Sequence, residues 1–126
     1  MRLLLDTSTF IWAVRAPERL STVAKRAMLR AAAQCELSTI SIIEIAIKQA
    51  RGKLAFTAEH VQEGIAGLQL RVLPLAEVHA LEFFGLPLMH TDPFDRQLIA
   101  QALTEQIPVV TSDESFARYQ GLKVIW

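Results

Sequence analysis

The stretch Leu3-Leu4-Leu5-Asp6-Thr7-Ser8-Thr9 decides the fold. Three consecutive leucines show no alternation of wet and dry faces, which marks a short strand covered on both sides. The run stops at a carboxylate followed by three hydroxyl side chains, residue types that start a helix by capping its free N–H groups. A buried strand passing directly into a helix is half of a crossover connection.

The same alternation continues down the chain. Phe10 to Val14 reads as a short helix closed by Pro17, and Ser21 to Ala33 as an amphipathic helix with Val23, Ala24, Ala27, Met28 and Ala31 on one face. Glu36 to Ile40 reads as a strand, Ser41 to about Ala50 as a helix stopped by Gly52, and Thr57 to Leu68 as another helix. Arg71 to Leu73 is a predicted strand, Ala76 to Phe84 a helix, and Pro93 to Gln106 a helix carrying Phe94, Leu98, Ile99 and Ala102 on one stripe. Val109 to Thr111, Glu114 to Tyr119 and Lys123 to Ile125 complete the order as strand, short helix and strand. Short apolar strands alternating with amphipathic helices predict the α/β class, with a parallel sheet covered on both faces.

Composition narrows the function classes. The chain has 126 residues, 52% of them apolar and 21% charged, a length and balance that predict one domain with a real core over 1–126. A single cysteine, Cys35, makes no internal disulfide, which fits a reducing compartment and a cytoplasmic location. Asp6 interrupts the N-terminal leucines well short of the ~7–15 apolar residues of a secretory core, and no run approaches the ~18 needed to span a bilayer. Thirteen Lys and Arg balance thirteen Asp and Glu, which excludes a polybasic nucleic-acid binder.

Ligands of open parallel sheets bind beyond the carboxyl ends of the strands. Four acids are predicted there. Asp6 follows the first strand, Glu44 lies near the start of the helix after the second, and Asp113 follows the Val109–Thr111 strand. Asp95 opens the Pro93–Gln106 helix in register with Leu98, Ile99 and Ala102, so it faces the sheet. Each has a local alternative: Ser41-x-x-Glu44 matches a capping box, Asp92-Pro93 is a good helix start that makes Asp95 a third helical residue favoured by the dipole, Asp113 suits a cap for the short helix after it, and Asp6 suits a turn. Four such accidents at one edge are a weaker account than one site. Like charges gathered this way call for a cation, and hard ions such as Mg²⁺ or Mn²⁺ prefer oxygen ligands. An open all-carboxylate site of that kind suits phosphodiester hydrolysis.

These residues also carry a resemblance. Leu4-Leu5-Asp6-Thr7-Ser8-Thr9-Phe10-Ile11-Trp12, Ser41 to Leu54, Asp92-Pro93-Phe94-Asp95-Arg96 running into Leu98–Ala102, and Val110 to Phe116 resemble, in order, the motifs of PIN-domain proteins of the VapC toxin type. The resemblance covers essentially the whole chain. It implies a three-layer α/β/α sandwich around a mostly parallel sheet of four to five strands. It implies a ribonuclease dependent on Mg²⁺ or Mn²⁺ that cuts single-stranded RNA, restrained by a cognate antitoxin and commonly homodimeric. Carried over by position, Asp6, Glu44, Asp95 and Asp113 match the metal-site acids, with Thr7, Asp92, Thr111 and Ser112 beside them.

Other classes fit less well. A phospho-signalling receiver needs an acceptor Asp after the third strand, where this chain has Pro74-Leu75, and Lys123 begins the last strand instead of ending it. Gly64-x-x-Gly67 lies inside a predicted helix and makes no phosphate loop. A purely protein-interaction domain would have no use for the acids. His60, His79 and His90 are read as surface or loop residues, Trp12, Phe83 and Phe84 as core, and Arg96 as a partner of a carboxylate or of RNA. Setting the four acids aside leaves 13 basic against 9 acidic side chains, so the neutral total conceals an acidic pocket in a body of charge +4.

Overall fold

The computed structural model describes residues 1–126. Five strands, β1 (Arg2–Leu5), β2 (Gln34–Ser38), β3 (Arg71–Leu73), β4 (Val109–Val110) and β5 (Val124–Ile125), form one sheet in the order β3-β2-β1-β4-β5, every pair parallel. Six helices accompany them: α1 (Thr7–Arg15), α2 (Thr22–Leu29), α3 (Thr39–Ala50), α4 (Ala58–Gly67), α5 (Glu77–Gly85) and α6 (Pro93–Glu105). Two 3-10 turns lie at Pro17–Arg19 and Glu114–Arg118. This is the predicted sandwich, with all five strands parallel.

β1 is central, and its three leucines have no exposed surface. Successive strand residues point to opposite faces, so the run serves two cores at once. Leu4 packs with Leu98, Ile99 and Ala102 of α6 and with Phe116 and Tyr119. Leu3 and Leu5 pack on the other face with Ala24 of α2, Cys35 and Val110. A third cluster joins Phe10 of α1, Leu37, Ile45 of α3, Phe56 and Val61 of α4. Within α4, Gly64 is required by close approach. A Cβ there would stand 2.7 Å from Val14 Cγ2 and 2.9 Å from Phe10 Cζ. No helix is long and apolar enough to cross a membrane.

Several boundaries depart from the sequence reading, for one reason. Helix α2 ends at Leu29 instead of Ala33, because the chain must return to the start of β1, where Gln34 N–H donates to Met1 O at 2.7 Å. Strand pairing thus overrides helix propensity across Arg30–Ala33. Val23 and Ala31, assigned to the apolar face, are exposed. Pairing β2 from Gln34 also moves the next helix start: Ser38, not Ser41, caps α3 through Ile40 N–H, so there is no capping box at Glu44. His79 is buried, 3% exposed, and bridges the Ala76 N–H and Glu105. Phe84 projects into solvent instead of the core, 89% exposed.

Glu36 is the buried charge of the sheet, with no exposed surface. Arg2 neutralises it with two N–H groups, one at 2.9 Å, and gives a third to Glu105 at 3.0 Å. A charge on an inner strand is tolerated only with such a partner.

Candidate metal centre

The sheet order places its topological switch between β1 and β4, since the chain winds toward β2 and β3 on one side and reaches β4 and β5 on the other. The residues just beyond these strands therefore meet at one edge. Asp6 follows β1, Thr111 and Asp113 follow β4, and the N-terminal half of α3 brings Glu44 from the β2 side. The N-terminus of α6 contributes Asp92 and Asp95.

Asp6 caps α1, and its two oxygens are held from different elements. Oδ1 accepts Thr9 N–H at 2.8 Å, and Oδ2 accepts the Thr111 hydroxyl at 2.6 Å. Burial, at 5% exposure, pushes its carboxyl up, and these bonds pull the other way. Thr111 Oγ1 in turn accepts Asp113 N–H at 3.0 Å, so one hydroxyl ties the end of β4 to the end of β1. Thr7 performs the matching task for α3. Its hydroxyl lies 2.9 Å from Ser41 Oγ and 2.7 Å from Glu44 Oε1, while Lys48 Nζ donates to Glu44 Oε2 at 2.7 Å. Ser41 is a supporting residue the sequence reading missed. Its local spacing mimicked a cap, and only the α1–α3 approach reveals its partner.

The capping alternatives at Asp92 and Asp113 hold alongside the clustering, whereas the capping box at Glu44 does not form. Asp92 Oδ1 caps α6 through Phe94 and Asp95 N–H at 2.9 and 3.0 Å. Asp113 Oδ1 caps the Glu114–Arg118 turn through Ser115 N–H at 2.9 Å and also accepts the Ser115 hydroxyl. In both, the cap uses one oxygen and leaves Oδ2 without a protein partner. Ser112 is exposed and makes no hydrogen bond to these acids.

Asp95, like Asp6, has its carboxyl raised by its surroundings. Its side chain is 20% exposed, and its carboxyl is pushed up to about 7, first by burial and then by Asp92, Glu44, Asp113 and Asp6. Charges just after β1, on α3, at the cap of α6 and in the segment after β4 thus act on one carboxyl. Lys48 is the cation that answers them. Its ammonium is held above the ordinary value by the bond to Glu44, with Asp92 and Asp95 adding to it.

No three His, Cys, Asp or Glu side chains close on a common point as a finished metal cage. The donor set nonetheless suits a hard divalent ion: every candidate ligand is a carboxylate oxygen, Asp95 makes no protein hydrogen bond through either oxygen, and Asp92 and Asp113 each keep one oxygen free. An ion that retains waters needs few direct carboxylates. Arg96, expected near a carboxylate or RNA, is buried instead and donates to the carbonyls of Leu86 and Pro87 and to the Tyr119 hydroxyl.

No curated protein sequence matches this chain. Solved structures do, at low identity. VapBC2 from Rickettsia felis, bound to a promoter DNA fragment, superposes with a TM-score of 0.75 at 16% identity, covering 98% of this chain and 97% of that one. VapBC-5 from Mycobacterium tuberculosis, of the VapBC family of toxin–antitoxin systems, gives 0.62 at 17% over 98% and 96%. FitAcB from Neisseria gonorrhoeae gives 0.63 at 20% over 97% and 95%. At these identities the likeness is one of fold. The PIN domain family model matches residues 3–122, and a sequence match over nearly the whole chain, on a sheet that gathers acids at its switch point, places this chain in the PIN-domain family.

Proposed function

We propose that this chain is an endoribonuclease dependent on Mg²⁺ or Mn²⁺, that it hydrolyses phosphodiester bonds of single-stranded RNA, and that it is the toxin of a toxin–antitoxin pair. The carrying observation is Asp95, whose carboxyl is raised to about 7 by burial and four neighbouring acids, a concentration of negative charge that a divalent cation would relieve. Asp6, Glu44, Asp95 and Asp113 would hold the ion. Once bound, it would supply Lewis acidity at the phosphate and a more acidic water at neutral pH.

The chain's own groups do the positioning. Thr111 and the Thr9 N–H fix Asp6, and Thr7 fixes Glu44, so both buried carboxylates keep one direction without an ion's help. Lys48 and the remaining body of charge +4 offset the acids and leave the surroundings receptive to a polyanion. Asp92 and Asp113 stand exposed at this edge, where an extended strand would meet them.

Partners are part of the same proposal. The neighbouring structures are of VapBC and FitAcB assemblies, which supports a cognate antitoxin here. Apolar side chains exposed on α3 (Ile43, Ile47) and α5 (Val78, Leu81, Phe84) supply surface for it and for a second copy of the chain. We place the protein in the cytoplasm as one domain over 1–126, where RNA and an antitoxin meet it.

The test is cleavage of a single-stranded RNA by the purified chain with Mn²⁺ or Mg²⁺, against EDTA, for wild type, Asp6→Asn and Asp95→Asn. Asn caps a helix as well as Asp does, so Asp6→Asn removes charge without removing the cap. Metal-dependent cutting lost in both variants is expected. Undiminished cutting by the variants, or cutting unaffected by EDTA, would sink the proposal.

A further inference from the structure

A polar chain beside the acid edge has no part in the scheme above. Arg96 follows Asp95 on α6 but is 7% exposed and turned the other way. Its guanidinium donates to the carbonyls of Leu86 (3.3 Å), Pro87 (2.8 Å) and His90 (3.4 Å) and to Tyr119 Oη (3.0 Å), and it lies 5.1 Å from the Phe83 ring centroid. It thereby pins the segment between α5 and α6.

Arginine has no acceptor, so Tyr119 Oη receives that bond and its own proton must go elsewhere. Tyr119 is 1% exposed, and the other polar atom in reach of its oxygen is His90 Nδ1 at 2.7 Å. Nδ1 is therefore the acceptor, and the neutral ring carries its proton on Nε2. That nitrogen is buried, has no hydrogen-bond partner, and stands 3.7 Å from Asp95 Oδ2. The ring cannot swing away freely. It meets Tyr119 edge-on with centroids 5.5 Å apart, and lies tilted against Phe116 at 6.4 Å.

We infer that His90 is a positioning residue for Asp95: the Arg96–Tyr119–His90 chain fixes the imidazole tautomer so that Nε2–H faces Asp95 Oδ2 and sets the direction of that carboxylate. A buried donor without a partner favours approach of the nearest acceptor, here Asp95 Oδ2 at 3.7 Å. The carboxylate's other oxygen, which accepts no protein hydrogen bond, is then left for an ion. This inference rests on the reading of Asp95 as a metal ligand, and groups that orient such ligands typically change metal affinity by about 10–100-fold.

Two measurements test it on the full chain. Nitrogen-15 correlation spectra of the imidazole rings, taken at about pH 8 in EDTA, should show His90 protonated at Nε2. Tyr119→Phe keeps the packing and should move His90 toward the Nδ1–H form. Calorimetric titration with Mn²⁺ should show about tenfold weaker binding for His90→Leu. His90→Gln, whose side-chain amide offers an N–H in the place of Nε2–H, should recover most of it. An Nδ1–H ring in the wild type, or unchanged Mn²⁺ affinity in His90→Leu, would overturn the inference and leave the metal site standing. Absence of Mn²⁺ binding by the wild type would overturn the metal reading and this inference with it.

Discussion

Replacing Asp95 by Asn should stabilise the metal-free protein, although it removes a charge proposed to serve function. Asp95 has its carboxyl moved from 3.8 to about 7 by burial first and then by Asp92, Glu44, Asp113 and Asp6. At about 1.4 kcal/mol per tenfold change in proton affinity, the ceiling on this penalty is roughly 4 kcal/mol. The side chain is 20% exposed, and screening by water lowers the figure to roughly 2 kcal/mol. A carboxyl raised on folding binds its proton more tightly in the folded state, so stability falls as pH rises from about 4 to about 7, and the whole penalty is present above that. Asn is neutral and escapes it. It also loses the attraction of a charged first-turn residue to the α6 dipole, about 0.3–1 kcal/mol, leaving a net gain of about 1–2 kcal/mol. For a domain of this size that is a rise in Tm of roughly 4–8 °C. The assay is thermal unfolding of both proteins in EDTA at about pH 5 and about pH 8. The variant should lead at the higher pH and lose most of that lead at the lower. Added Mg²⁺ should narrow or reverse the gap, because only the wild type keeps the ligand. A variant no more stable than wild type at about pH 8, or a lead that is the same at both pH values, would refute the electrostatic account of the site.

Three further outcomes follow from the packing. Gly64→Ala puts a methyl against Val14 and Phe10, so urea unfolding should show a net loss of about 1–2 kcal/mol despite alanine's better helix propensity. Arg2→Ala strands Glu36 without its cation inside the sheet, and should cost about 3–5 kcal/mol by the same measurement. Lys48→Met removes a positive charge that acts on Glu44, Asp92 and Asp95, worth about 1 kcal/mol at aqueous screening, so calorimetry should find Mn²⁺ bound about fivefold more tightly.

The α/β class, the element order and the four edge acids were legible because each depends on near neighbours in the chain. Leu3–Leu5 and Val109–Val110 announce buried strands by composition, and Asp92-Pro93 announces a helix start by its chemistry. Element ends were less legible. The periodicity from Ser21 to Ala33 favours helix throughout, yet the last four residues are drawn out of it by pairing between the starts of β1 and β2. Single side chains misled for the same reason. Arg96 read as a partner of a carboxylate or of RNA and His79 as a surface or loop residue, and each is buried against partners distant in the chain, Glu105 for His79 and Leu86 and Tyr119 for Arg96.

By itself the sequence determined which acids stand at strand ends and helix starts, since alternation of short apolar runs with amphipathic helices places the ends of parallel strands on one side. What the tertiary structure decided is which of them act on one another. The order β3-β2-β1-β4-β5 makes β2 and β4 both neighbours of β1, and this sets Glu44, Asp6 and Asp113 around a carboxyl supplied by α6. Strand order is a non-local choice, and burial sums over every element that covers a group. A list of residues therefore identifies the carboxylates, while the raised Asp95, the twin supports Thr7 and Thr111, and the histidine aimed at Asp95 exist only once the sheet has closed around them.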